Sequence, residues 1–346
     1  MALSSCGWKL AEVKATPNRS GSGDQKSLDI YTWAGYTDDD LLKRFTAETG
    51  IKVRVDVYGS NDEMLAKIQA SGGGDYSIIY PSDYTVSRMV ELALLAELDH
   101  SRLNGLENLF PRFQNPSADP ELRHSIPTAW GTTVLIFNSE KLSQPPEDWN
   151  YLWEYQKQLS GRITLLDDVR EVMGATLKSL GYSYNSTDPQ QLKQAYEKLA
   201  TLKPAIANFT TDAWQDLIIA GDLLLAMCYS SDAIKVVQEN NKLQYVIPRS
   251  GSSVWTDTLV IPKTARNPDG AYAWINFLLQ PDVAAQICER LKFATPNQAA
   301  FNQLSPPIRN NPGLFPPEEV LQKCESVAQI GKVAEVYDSY WTQLRT

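Results

Sequence analysis

The chain has 346 residues, 43% hydrophobic and 21% charged, which exceeds one ordinary domain and leads us to expect two lobes with real cores. Its 41 acidic residues outnumber 32 basic ones for a net charge of -9, which argues against nucleic acid as a partner and fits either a cationic ligand or a solubilising surface. Two histidines and four cysteines, none in a C-x-x-C or H-E-x-x-H spacing, offer no metal or redox chemistry, so no cofactor is expected; no apolar run reaches the roughly 18 residues of a membrane span.

In chain order, the run LSSCG over 3–7 resembles the end of a bacterial lipoprotein signal without its preceding basic and apolar regions, which makes Cys6 a candidate lipid attachment point. Residues 14–26 are rich in Ser, Gly, Asn and charge and read as a tether, so residues 1–27 are set apart as signal remnant and linker. An alternating strand is expected at 28–33, then a helix from Asp38 that buries Leu41, Leu42 and Phe45 and stops at Gly50. A strand at 51–58, a helix at 61–70 and a nearly continuous apolar strand at 76–81 complete a β-α-β-α-β unit. The glycines of 71–74 follow a helix and lack a Gly-Lys-Ser/Thr, so they read as a helix stop and not as a phosphate cradle.

Beyond these, a helix at 89–98, a punctuated connection at 99–127 and a long strand at 130–138 that crosses into a second lobe are expected. Helices at 149–159, 171–180, 189–202, 214–220 and 233–240 alternate with strands at 161–166, 223–228 and 243–248; a strand at 253–262 and a helix at 269–279 follow. The fold class is therefore α/β with two lobes, each a mostly parallel sheet flanked by helices, with a ligand cleft between them. The expected division assigns 28–130 with 258–297 to the first lobe and 131–257 with 298–346 to the second.

Four clusters pair aromatic rings with anions at strand ends, where open α/β sheets place ligand-binding groups. The first is Trp33 and Tyr36; the second is Ser82, Asp83 and Tyr84; the third is Asp168 and Glu171, neighbours on one helical turn; the fourth is Trp255 and Asp257, two apart on a strand and so on one face. Each also has a plain structural account. Trp33 and Tyr36 suit core or hinge packing, Ser82 or Asp83 suits a helix cap, Asp168 with Glu171 suits a capping box, and Trp255 with Asp257 suits an ordinary edge strand. Asp168 and Glu171 also have the residue types of a glycosidase pair, though no nucleophile–base arrangement is legible.

In their order and spacing, YTWAGY (31–36), ETGIKV (48–53), YPSDY (80–84), DDVRE (167–171), WTDTLVIP (255–262) and ATPN (294–297) resemble the spermidine/putrescine-binding proteins of bacterial polyamine ABC transporters, which are type II periplasmic binding proteins. The resemblance covers residue 28 to the end. It implies that Trp33, Tyr36, Tyr84 and Trp255 box a methylene chain, that Asp257 pairs with a secondary or buried amine, and that Asp168 and Glu171 hold a terminal ammonium. Ser82 would lie in the same pocket with Asp83 beside it, Tyr229 would stand where the family usually has Trp, and Phe293 where it has Tyr. Two positions depart from the pattern: Gly35 replaces a Glu common in relatives, and Val327, with Gln329 close by, replaces a polar residue. Asp83 is the candidate for the missing anion. The implied protein is a monomeric, non-enzymatic periplasmic receptor that delivers polyamine to a membrane-embedded ABC permease; the alternatives are a receptor for another small organic cation or a sugar, and a carbohydrate-active enzyme using Asp168 and Glu171.

Overall fold

The computed structural model describes residues 26–345, so Cys6 and all but the last two residues of the expected tether lie outside the described residues. Ser27, expected in that tether, is instead the first residue of a strand. The strands are β1 (Ser27–Trp33), β2 (Lys52–Tyr58), β3 (Ile78–Ile79), β4 (Ser125–Asn138), β5 (Ile163–Leu165), β6 (Ile206–Phe209), β7 (Leu225–Tyr229), β8 (Leu243–Val246), β9 (Ser253–Val260) and β10 (Glu325–Ser326). They run in the order β2-β1-β3-β9-β4-β7-β5-β6, with β10 beside β9 and β8 beside β4. Each half keeps a parallel part, β1 with β2 and β3 in one, β5 with β6 and β7 in the other. Antiparallel ladders join them: β9 with β3, and β4 with β9, β7 and β8.

The strand β4 spans both lobes, as expected of the run 130–138, but it is 14 residues long and begins at Ser125, inside the expected connection 99–127. Residues 125–132 pair with β9, whereas Thr133 to Phe137 pair with β7. Local sequence explains the elements that frame it. In the helix Asp39–Thr49, Asp38 accepts from the Leu41 N–H, Asp39 and Asp40 favour the positive helix end, Leu41 and Phe45 are buried one turn apart, and Gly50 closes the helix with positive φ. Its Phe45 meets Trp274 edge-on at 4.8 Å in the first core, with Leu28 and Ile30. A second core gathers Trp149, Leu165, Tyr184 and Tyr337.

Three expectations need correction. The helix near residue 90 is Asp83–Glu91 and not 89–98: Ala93 takes a positive φ, and Ala96 donates to the Ile261 carbonyl as the chain runs along the end of β9. The expected helix 149–159 shortens to Tyr151–Glu154 followed by turns. The return to the second lobe comes later than residue 298, because Ala300 and Leu304 pack on Ala284, Ala285 and Cys288, and Phe315 joins the first core. The chain crosses at β10, which pairs with Ser253 and Val254, and Val327 enters the second core. Among the described residues no helix is long and apolar enough to cross a membrane.

The helix Val169–Ser179 is buried along most of its length, and Gly174 lies where an added Cβ would come within 2.1 Å of the Tyr184 ring. That ring is held in place, since its hydroxyl lies within hydrogen-bond distance of both the carbonyl and Oε2 of Glu171 and its one proton is shared between them. Gly174→Ala is expected to lower the unfolding free energy by about 1–3 kcal/mol through overpacking. Urea denaturation checks this, and an unshifted midpoint would contradict the packing described.

Candidate ligand-binding cleft

A cleft of about 700 Å³ opens between the lobes, and its wall is drawn from both. Strand alternation turns Trp255 and Asp257 to it together. Trp255 stands opposite Gly131 of β4, where a Cβ would lie 2.4 Å from the indole, so the glycine makes room for the ring. Tyr229, at the end of β7, meets Trp255 edge-on at 5.6 Å. Across the cleft, Trp33 leans on Tyr58 at 4.5 Å and Tyr36 on Phe293 at 4.2 Å.

Asp257 is 5% exposed and is held by two hydroxyls distant in sequence: Ser82 Oγ donates to Oδ1 at 2.7 Å and Tyr36 donates to Oδ2. Asn61, which sequence reasoning did not single out, supports this pair by donating to Ser82 Oγ at 3.1 Å and to the Tyr84 hydroxyl at 2.9 Å. Asp168 is both cap and wall. Its Oδ1 accepts from the N–H groups of Arg170 and Glu171 at 2.8 and 3.1 Å, while Oδ2 faces the Tyr84 hydroxyl at 3.5 Å. Glu171 is 3% exposed, and its Oε2 accepts from Thr133, Ser253 and Tyr184 at 2.9, 2.8 and 2.7 Å.

These carboxylates have hydroxyl and amide donors but no cation along the wall, which contains no Lys, Arg or His. Burial therefore dominates their protonation. It pushes Asp257 up to about 6, against the pull of its two hydroxyl donors. Burial and then the Asp168 charge push Glu171 up to about 7, and burial raises Asp168 as well. An arrangement of desolvated anions between aromatic faces is complementary to an organic cation.

The bacterial extracellular solute-binding protein family model matches residues 40–316. The chain belongs to that family. It is 36% identical to a spermidine/putrescine-binding periplasmic protein of Salmonella typhimurium, over 94% of this chain and 93% of the relative. A protein of the same description from Escherichia coli is also 36% identical, over 93% and 92%. Among solved structures, the spermidine/putrescine ABC transporter substrate-binding protein of Streptococcus pneumoniae superposes with a TM-score of 0.81 at 37% identity, covering 92% of this chain and 98% of that one. The solute-binding fold is thus the two-lobed type II arrangement, its sheet curled around a shared cleft.

Of the residues singled out from sequence, Trp33, Tyr36, Ser82, Tyr84, Asp168, Glu171, Tyr229, Trp255, Asp257 and Phe293 all line this cleft. Asp83 does not: it opens the helix Asp83–Glu91 and its Oδ1 accepts from the Tyr84 N–H at 2.8 Å, with burial pushing it up to about 8. Neither position at the other departure reaches the wall, since Val327 is buried in the second core and Gln329 donates to Glu91 at 2.7 Å. Sequence reasoning missed Asp212 and Asp232, which also line the cleft. Both follow strands, β6 and β7, so the strand-end criterion applied to every turn finds them.

A carboxyl whose folded-state value lies above its unfolded value near 4 adds stability that is complete below about pH 4 and is lost as pH rises through the folded value. With Asp257 at about 6 and Glu171 at about 7, the ligand-free protein is expected to melt higher at mildly acidic than at mildly alkaline pH. Asp257→Asn should shrink that difference. Thermal melts of both proteins across this range provide the check, and a flat or reversed profile for the wild type would argue against desolvated, uncompensated carboxyls.

Proposed function

We propose that this solute-binding protein captures a linear polyamine, spermidine or putrescine, in the cleft and presents the closed complex to the membrane-embedded permease of an ABC transporter. The observation that carries this reading is the composition of the wall: five carboxylates, from Asp168, Glu171, Asp212, Asp232 and Asp257, interleaved with seven aromatic side chains and with no Lys, Arg or His among the lining residues, Lys235 meeting Asp232 from behind the wall. Polyamine ammonium groups have pKa values of about 10 and stay charged at neutral pH, so they cannot be desolvated without anionic partners. Aromatic faces stack on the methylene segments and add cation–π attraction of about 0.5–2 kcal/mol each. The names of the curated relatives, spermidine/putrescine-binding, agree with this chemistry.

In this reading Asp257 pairs with the inner amine, Asp168 and Glu171 hold a terminal ammonium, and Trp33, Tyr36, Tyr84, Trp255, Tyr229 and Phe293 enclose the chain. Ser82 keeps Asp257 oriented. Because the wall comes from both lobes, the ligand makes its full set of contacts only when they are closed, and so favours that state. The receptor acts in the periplasm as a monomer, with Cys6 as a lipid attachment point, and catalyses no reaction.

Isothermal titration calorimetry with spermidine, putrescine and a neutral sugar tests the proposal. Binding of at least one amine and not of the sugar is expected, and no heat with either amine would overturn it. Asp257→Asn should weaken amine binding about 10- to 100-fold, the equivalent of a charge-assisted hydrogen bond, with the circular dichroism unchanged.

Affinity should also depend on pH. An ammonium partner lowers the carboxyl values, so binding releases protons, and affinity should fall as pH drops through 7 and 6, where Glu171 and Asp257 take up protons in the free protein. Titrations in buffers of different ionisation enthalpy count the released protons, and proton uptake would be the contrary result.

A further inference from the structure

Lys235 lies on the helix Ser230–Glu239, one turn after the cleft residue Asp232. Its Nζ is 3.4 Å from Asp232 Oδ1 and 5.0 Å from the centroid of the Phe293 ring, and both of these partners line the cleft. On a third side is Gly35, where an added Cβ would stand 4.0 Å from the same Nζ and where φ of +75° favours glycine. The protein's own ammonium thus rests between a carboxylate and an aromatic face, the same combination that the cleft offers to a ligand cation.

The position of this ammonium relative to the other anions follows from a chain of contacts. Asp168 faces Tyr84, which is joined through Asn61 to Ser82, and Ser82 donates to Asp257. Asp257 then accepts from Tyr36, whose ring packs on Phe293, and Phe293 carries Lys235. Along this chain of contacts Asp257 comes between the Asp168–Glu171 pair and the Asp232–Lys235 pair. Asp212, the remaining acid on this side, is exposed to water. The Lys235 side chain is 33% exposed, so water reaches it from outside the cleft.

We infer that Lys235 sets the ligand length this cleft prefers, by occupying with its own ammonium the station at Asp232 and Phe293 that a third ligand amine would need. The inference rests on the amine-binding reading of the cleft. A diamine fills the stations at Asp168–Glu171 and Asp257 and leaves Lys235 in place. A triamine must displace Lys235 from both partners before its far ammonium can take the same carboxylate and ring, and that competition weakens it relative to the diamine.

Calorimetric titration of wild type, Lys235→Met and Lys235→Arg with putrescine and spermidine tests this. Lys235→Met keeps the methylene stem and removes the competitor, so spermidine should bind about tenfold more tightly while putrescine changes by less than about twofold. Lys235→Arg, which retains a cation, should keep the wild-type ratio, and adding Asp232→Asn to Lys235→Met should abolish the gain. A spermidine-to-putrescine affinity ratio unmoved by Lys235→Met, or an equal shift for both amines, overturns the inference. Failure of the wild type to bind either amine would instead overturn the function on which it rests.

Discussion

Three carboxylates, Asp168, Glu171 and Asp257, are withdrawn from water in one cleft whose wall has no basic side chain, and most of what surrounds them is arranged to make that tolerable. Asp257 is held by Ser82 and Tyr36, Glu171 by Thr133, Ser253 and Tyr184, and Asp168 by two backbone N–H groups. Neutral donors orient an anion and reduce its desolvation cost without cancelling its charge. The charge therefore remains available to a ligand. Pairing these carboxylates with lysines would neutralise them, whereas hydroxyl donors orient them and leave the charge uncompensated.

The same logic explains why the cleft is aromatic and not aliphatic. Leu or Val would bury a methylene chain as well as Trp255 or Tyr229, but an aliphatic wall gives nothing to a nearby ammonium, whereas a ring face attracts it. The aromatic residues also brace one another, Tyr36 on Phe293 and Tyr229 on Trp255, so the walls are set before a ligand arrives. Gly131 shows how closely the frame is cut around them, since the ring of Trp255 occupies the volume of its missing side chain.

Much of this was legible in the sequence because the decisive residues sit on regular elements. A period-two strand places Trp255 with Asp257, and a strand-to-helix turn places Asp168 with Glu171. For Asp168 the capping account holds for one oxygen, while the other faces the Tyr84 hydroxyl in the cleft, a contact that depends on long-range packing. What was not legible came from long-range packing. The run 92–98 is apolar enough to suit helix or extended chain, and only its bonding beside β9 selects the latter. The Pro-rich segment around 305–317 has no period to show which core it joins, and Asp212, two residues before Trp214, gives no sign that this indole turns to the core while the carboxylate turns to the cleft.

Thr133 is the residue at which β4 changes partner from β9 to β7, and Ser253 is where β9 begins beside β10. Both hydroxyls donate to the same oxygen of Glu171. The Glu171 carboxylate is thus pinned where the strands pass from one lobe to the other. In the function proposed above, a ligand that alters the charge state of Glu171 therefore acts on the strands that join the lobes, which ties occupancy of the cleft to the lobe junction.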